Sequence, residues 1–247
     1  MGATRLPRKV LMDIAGKPML ARVVERAKRA KRVDMVAVAT SLEPQDDAIE
    51  ALSREMGTPC YRGSLHDVLD RYYQAARKFS ADVVVRLTAD CPLIDPGVID
   101  QVLGAFFGMD ESPDHLQKEP AWDFAANRLP PPWSRTFPIG LDTEVCTFAA
   151  LERAWKEADR PHQREHVMPY LYENQGEFRV LQIHHDPDYG HLRWTVDTAE
   201  DLEFVRQVYA SFQGKDDFSW LDVLALVQNR PDLAAINAGV RHKSLLD

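Results

Sequence analysis

Apolar residues along this chain recur at two periods, and the alternation between them lays out its elements. Met19, Leu20, Val23, Val24 and Ala27 fall at helical spacing, which predicts an amphipathic helix from Pro18 to about Ala30, with Pro18 suited to the first turn. Asp34–Thr40 reads Asp-Met-Val-Ala-Val-Ala-Thr, the near-continuous apolar run of a strand covered on both faces. A second helix is expected from about Pro44 to Met56, stopping at Gly57, and a third over Leu65–Phe79. Ala81–Leu87 is another buried strand, and Asp95-Pro96 pairs an N-cap acid with a first-position proline ahead of a helix over Val98–Phe107. Residues 110–140 break the pattern; they include Pro130-Pro131-Pro132 and read as a loop or extended arm. Strands then follow at Thr143–Phe148 and Phe178–His184, with helices at Ala149–Ala158 and His162–Glu173 between them. Leu192–Val196 is a further strand, and the helix Thr198–Tyr209 carries Thr198 and Asp201 at capping-box spacing. Ser219–Val227 is a terminal helix, and a loosely packed tail is expected over 231–247.

Strands alternating with helices predict an α/β fold: a doubly wound three-layer α/β/α arrangement on a mostly parallel mixed sheet, with ligands at the carboxyl ends of the strands. The 247 residues show no repeat and no clear boundary, so 1–247 is read as one domain, with ample length for a sizeable core. The 110–146 stretch is read as a Pro-rich loop or arm. No apolar run approaches the roughly 18–20 residues a membrane span needs, and the basic start, broken by Pro7, has no apolar stretch of a signal peptide behind it. Cys60, Cys91 and Cys146 are odd in number and far apart, which suggests reduced thiols in a cytoplasmic protein rather than a disulfide framework.

Charge sharpens the picture. Residues 1–32 hold ten Lys/Arg against Asp13 and Glu25, whereas the whole chain has a net charge of −8. That balance argues against nucleic acid as a partner and fits a compact polyanion such as a nucleoside triphosphate at the basic end. Part of the surplus, from Arg22 to Arg32, also fits the solvated face of a helix. Within the first residues a small-residue turn, Gly2, Ala3 and Thr4, leads into Arg5, Lys9 and Lys17. Small residues let backbone N–H groups approach phosphate oxygens, and the cations neutralise the charge there. Two carboxylates stand just beyond buried strands, Asp90 in Arg86-Leu-Thr-Ala-Asp90 and Asp197 in Leu192-Arg-Trp-Thr-Val-Asp197. Either one alone could cap a turn; together they supply two ligands for one Mg²⁺, with water and phosphate oxygens completing its shell.

The sequences that carry these residues resemble those of the sugar-activating nucleotidyltransferases, above all the cytidylyltransferases that make CMP-sugars. Arg5-Leu-Pro-Arg-Lys9 with Gly16-Lys-Pro-Met, Gly63-Ser-Leu-His-Asp67-Val-Leu-Asp-Arg71, Arg86-Leu-Thr-Ala-Asp-Cys-Pro-Leu-Ile-Asp-Pro, Phe137-Pro-Ile-Gly-Leu-Asp142-Thr-Glu144, Arg164-Glu-His-Val and His191-Leu-Arg-Trp-Thr-Val-Asp-Thr together look like the spore coat polysaccharide biosynthesis cytidylyltransferase-like family, whose relatives are the acylneuraminate and Kdo cytidylyltransferases of the nucleotide-diphospho-sugar transferase fold. The resemblance implies Mg²⁺-dependent transfer of CMP from CTP to an acidic sugar, by cytoplasmic homodimers that pair through a segment after the central strands, which makes 128–146, within 110–146, the candidate dimerisation arm. It makes Arg5 and Lys9 catalytic, Asp90 and Asp197 metal ligands, and Gly2, Ala3, Thr4, Lys17, Gly63, Ser64, Arg71 and Arg86 nucleotide contacts. Asp142, Glu144, Arg164 and His166 would line the sugar side, although Arg164 could equally tie a helix to the arm. The family has glycine where this chain has Arg8, which costs conformational energy if φ is positive there. It also places a buried strand before the basic loop. The expectation is that codons upstream of Met1 encode such a strand, and that without it the core holds a groove.

Two other readings stay open. A non-catalytic member of the same fold could act as a partner or regulator. His162-Gln-Arg-Glu165-His166 matches the H-x-x-E-H pattern of inverted zinc peptidases, with His162 and His166 on one helical face.

Overall fold

The computed structural model describes residues 5–108, 119–130 and 134–241. Gly2, Ala3 and Thr4 lie outside the described residues, as do 109–118, 131–133 and 242–247. A 3-10 turn at Lys9–Leu11 leads into a small antiparallel hairpin of β1 (Asp13–Ile14) and β2 (Lys17–Pro18). Its turn residues Ala15 and Gly16 both have positive φ, as a two-residue hairpin loop requires. Helix α1 (Met19–Ala27) follows, starting one residue later than expected. Then come β3 (Val38–Ser41), α2 (Asp47–Glu55), β4 (Cys60–Gly63), α3 (Val68–Lys78), β5 (Val83–Arg86) and α4 (Pro96–Phe106). The second half holds β6 (Phe124–Ala126), β7 (Glu144–Thr147), α5 (Phe148–Glu157), α6 (Pro161–His166), α7 (Pro169–Glu173) and β8 (Val180–Gln182). It ends with α8 (Ala199–Ser211), α9 (Trp220–Asn229) and α10 (Pro231–Ala235).

The fold is α/β, with helices packed on a mixed sheet. β5, β7, β6 and β8 form one sheet in that order; β7 runs antiparallel to β5 and β6, and β6 pairs parallel with β8. β3 and β4 form a separate parallel pair. Strand alternation divides the core between the two faces of the larger sheet. Ala125 and Val145 pack with Ile99, Phe106, Val205 and Tyr209 on one side. Phe124, Ala126 and Cys146 pack with Leu69, Leu151 and Leu171 on the other.

Three expectations need correction. Residues 162–173 form two helices, not one: Pro169 cannot donate to the preceding turn, and Val167 takes φ 74 at the break. Leu192–Val196 is not a sheet strand among the described residues but an extended segment held by a single bridge, Ile139 to Arg193. It runs against Gly140, whose φ is 109 and whose hydrogen stands where a Cβ would meet Thr195 N at 2.8 Å. The third concerns the arm and the tail. Phe124–Ala126 is a fully buried strand inside the 110–146 stretch, and Leu233 and Asn237 are buried in the 231–241 part of the tail.

Candidate active site

The site forms where the ends of three segments meet. Asp90 lies four residues beyond β5, and Asp197 lies just before α8, at the end of the extended 192–196 segment. Backbone bonds hold the two together: Val196 N donates to Asp90 O at 2.8 Å, and Thr195 Oγ1 donates to the same oxygen at 3.2 Å. Lys9 enters from the amino-terminal turn. Its Nζ donates to Asp90 Oδ2, Asp197 Oδ1 and Val196 O, each at 2.8 Å. Arg5 closes the cluster from the solvent side, 2.9 Å from Asp197 Oδ2, with its side chain 31% exposed. Of the residues expected to act on a triphosphate, Arg5, Lys9, Asp90 and Asp197 are therefore brought into direct contact.

Electrostatics follow from this packing. Burial disfavours the Lys9 ammonium, but the neighbouring Asp90 and Asp197 outweigh it and raise its pKa. Burial likewise pushes Asp197 up, yet Lys9, Arg193 and Arg5 overcome it and bring the carboxyl down to about 2. Asp197 is thus ionised throughout the physiological range.

Sequence reasoning missed the layer that positions Asp197. Arg193 Nη2 bonds Asp197 Oδ2 at 2.7 Å, and its Nε bonds Asp201 Oδ1 at 2.9 Å. Asp201, fully buried, also accepts from the backbone N–H groups of Asp197 and Thr198 and from Asn237 Nδ2. Asp201 is therefore both the expected helix cap and an anchor for the site. Period-two alternation from Asp197 back through Thr195 to Arg193 was the available signal, since extended chain turns alternate residues to one side.

The remaining expected residues that the structure describes make separate local contacts and do not join this cluster's hydrogen bonds. Lys17 bonds Glu25 Oε2 at 2.5 Å and lies 3.6 Å from Asp216, away from the Lys9 cluster's own contacts. Gly63 ends β4, and its backbone runs close enough to Arg71 that a Cβ would meet Cγ at 3.1 Å. Ser64 accepts from Asp67 N through its hydroxyl and from Arg71 Nη1 through its carbonyl. Arg86 sits opposite Glu144 in the ladder and forms an ion pair with it. Asp142 pairs with Arg135. Arg164 grips Asp67 with Nε 3.1 Å from both oxygens, while Asp67 caps α3. His166 is half-buried, and burial with the nearby Arg86 guanidinium lowers its pKa.

His162 and His166 do not meet at a common metal seat. His162 Nε2 lies 2.8 Å from Glu173, and no group of three or more His, Cys, Asp or Glu residues positioned for a metal occurs among the described residues. The inverted zinc-peptidase reading lacks its donor set.

Comparison with known proteins settles the family. Residues 1–215 match the family described as Cytidylyltransferase. The chain belongs to it. The chain is 35% identical over 249 residues to an uncharacterised protein of Methanocaldococcus jannaschii, covering 98% of this chain and 93% of that protein. It is 29% identical to the spore coat polysaccharide biosynthesis protein SpsF of Bacillus subtilis, over 95% of this chain and 93% of SpsF. A shorter likeness, 46% over 109 residues, joins 43% of this chain to 44% of the 3-deoxy-manno-octulosonate cytidylyltransferase of Anaeromyxobacter dehalogenans. The solved structure of a cytidylyltransferase from Leptospira borgpetersenii superposes with a TM-score of 0.86 at 31% identity, covering 98% of this chain and 95% of that one.

Proposed function

We propose that this protein transfers CMP from CTP to a hydroxyl of an acidic sugar and releases pyrophosphate, in the synthesis of a surface polysaccharide or related glycan. The observation that carries the reading is the convergence of Asp90 and Asp197 on one cation, the Lys9 ammonium, beside Arg5. The donor set there is all oxygen, two carboxylates and the Val196 carbonyl, which suits a hard cation that keeps several waters. Asp90 and Asp197 would hold Mg²⁺, and the ion would neutralise charge on phosphate oxygens. Arg5, at the solvent rim, stabilises the departing pyrophosphate, and Lys9 turns from the carboxylates to the triphosphate. Arg193 and Asp201 keep Asp197 oriented.

The acidic sugar is supported by the partial likeness to a 3-deoxy-manno-octulosonate cytidylyltransferase, and the polysaccharide role by the likeness to SpsF. Arg86, Arg135 and Arg164 supply guanidinium groups of the kind that bind carboxylates bidentately. The test is a thermal-shift panel of CTP, UTP, GTP and ATP, each with and without Mg²⁺, followed by pyrophosphate release with 3-deoxy sugar acids. Selective, Mg²⁺-dependent stabilisation by CTP is expected. A folded protein that responds to no nucleotide would refute the reading and favour a non-catalytic role.

A further inference from the structure

Arg22 and Arg26 belong to the helix face expected to be solvated, yet both are 0% exposed. Arg22 uses its whole guanidinium. Its Nε and Nη2 donate to Ile14 O at 3.1 and 2.9 Å, and Nη2 also to Ala15 O at 2.8 Å. Its Nη1 donates to Gly214 O at 2.9 Å and Asp216 Oδ2 at 2.5 Å. Arg26 donates to Ile94 O at 2.6 Å, Asp216 O at 3.0 Å and Phe218 O at 3.1 Å. Tyr209, itself fully buried, stacks on Arg22 with 4.5 Å between the guanidinium carbon and the ring centre. Its hydroxyl reaches Pro92 O at 2.9 Å and Asp216 Oδ1 at 3.0 Å. A buried guanidinium cannot shed its proton, so the oxygens that satisfy it are held at the spacing of its rigid fork.

The segments joined by this network are the ones that lead away from Lys9, Asp90 and Asp197. Ile14 and Ala15 belong to the hairpin just after Lys9. Pro92 and Ile94 follow Asp90 within four residues. Tyr209 and Asp216 lie at the far end of α8, whose first turn anchors Asp197 through Asp201. At 13 residues α8 is a rod of about 20 Å, so where its far end is fixed sets where Asp197 stands. We propose that Asp216, with Arg22, Arg26 and Tyr209, is a positioning device that holds the segments bearing Lys9, Asp90 and Asp197 in mutual register. None of the four bonds Lys9, Asp90 or Asp197 among the described residues; they act through the backbone they grip. The three 2.8 Å bonds of Lys9 converge from two of these segments, and a misplacement of about 1 Å costs roughly a hundredfold in such a site. Removing the Tyr209 hydroxyl takes a donor from two buried oxygens on different segments, which then move to find another.

The experiment follows the Lys9 ammonium by ¹H–¹⁵N correlation, assigned through its loss in Lys9→Met, in wild type, Tyr209→Phe and Asp216→Asn. Melting temperature and CTP affinity with Mg²⁺ are read alongside. Nucleotide affinity enters only through the function proposed above, whereas the ammonium signal reads the contact itself. Both network variants are expected to fold, to speed exchange of the ammonium protons at least tenfold, and to weaken CTP about tenfold. Thr147→Ala removes the cap of α5, on the other face of the sheet, and serves as a matched loss of stability. It is expected to lower the melting temperature by roughly 2–4 °C and leave both other readouts at wild-type values. Network variants that fail to fold, or that lose melting temperature alone, would mark a purely structural network and overturn the proposal. So would Thr147→Ala moving the ammonium signal as far, or a wild-type chain with no protected Lys9 ammonium to position. The expected ammonium response in a protein that binds no nucleotide would uphold the positioning network and count against the proposed function alone.

Discussion

Replacing Lys9 by methionine tests the arrangement at its centre. The substitution keeps the length and apolar stem of the side chain and deletes the ammonium that makes three 2.8 Å bonds. Removing one partner of a fully buried ion pair costs about 3–5 kcal/mol. Asp90 and Asp197 are 27% and 21% exposed at their side chains, and Asp197 keeps Arg5 and Arg193, so water and the remaining cations reduce the loss. A destabilisation of about 2–3 kcal/mol follows, a fall of roughly 5–10 °C in melting temperature for a chain of this size. The acid limb should move as well. Asp197, held at about 2 when folded, contributes stability that is complete above its unfolded pKa near ~3.9 and is lost as pH falls toward the folded value. Without Lys9 that folded value rises and the contribution shrinks, so the difference between wild type and variant narrows toward pH 2. The deciding assay is urea unfolding of both proteins at pH 7 with increasing Mn²⁺ and no nucleotide. In the variant no ammonium stands between the two carboxylates, and a divalent cation at about 100 times its dissociation constant restores roughly 2.7 kcal/mol. Wild type should gain far less, because its ammonium already occupies the position. Loss of stability without selective Mn²⁺ rescue would refute the shared cation seat and leave Lys9 a purely structural bridge.

Other consequences are checked more simply. Arg8 is exposed with φ 59, so Arg8→Gly should raise stability by about 1 kcal/mol in thermal or urea unfolding. Arg164→Leu frees the Asp67 cap of α3 and should cost about 1–2 kcal/mol; an accompanying rise in KM for the sugar with kcat unchanged would assign Arg164 to the substrate as well. Burial lowers the folded pKa of His166, so stability should decline as pH falls below the unfolded value near ~6.5, and His166→Gln should flatten that part of the urea-midpoint profile. Burial raises the pKa of all three thiols, and Cys91 and Cys146 are inaccessible; a thiol reagent should label at most Cys60 in the native protein and all three after denaturation.

Much of the fold was legible because it is written in local chemistry. Asp95 before Pro96 and Thr198 three residues before Asp201 mark helix starts, and both caps accept the bonds that their spacing predicts. Where the outcome depends on distant partners, local pattern fails. Phe124-Ala125-Ala126 is too short for a periodic signal and becomes a strand because β7 and β8 flank it. Leu192–Val196 has a strand's sequence, but its hydrogen bonds go to Ile139 and Asp90 rather than along a ladder. The run Asp34–Thr40 forms a strand only from Val38, and its earlier residues line a groove between β3 and β5 in which no strand pairs with them among the described residues.

The site divides along the same line. Arg5 and Lys9 could be singled out from their shared basic motif, and Asp90 and Asp197 from their places just beyond predicted strands, where an α/β fold opens. Their contact could not be read, since Lys9 and Asp197 are 188 residues apart and meet only after 192–196 is drawn to Asp90 through the Val196 amide. That amide contact also explains the second layer. Asp197 can stay ionised at a half-buried position only if several donors face it, and Arg193 is fixed to do so by the fully buried Asp201. Asn237 then spans Arg193 O and Asp201 Oδ1, each at 3.0 Å, so the chain beyond α10 contributes to the orientation of a carboxylate 40 residues earlier. The segment expected to be a loose tail is thereby part of what holds the candidate metal ligand in place.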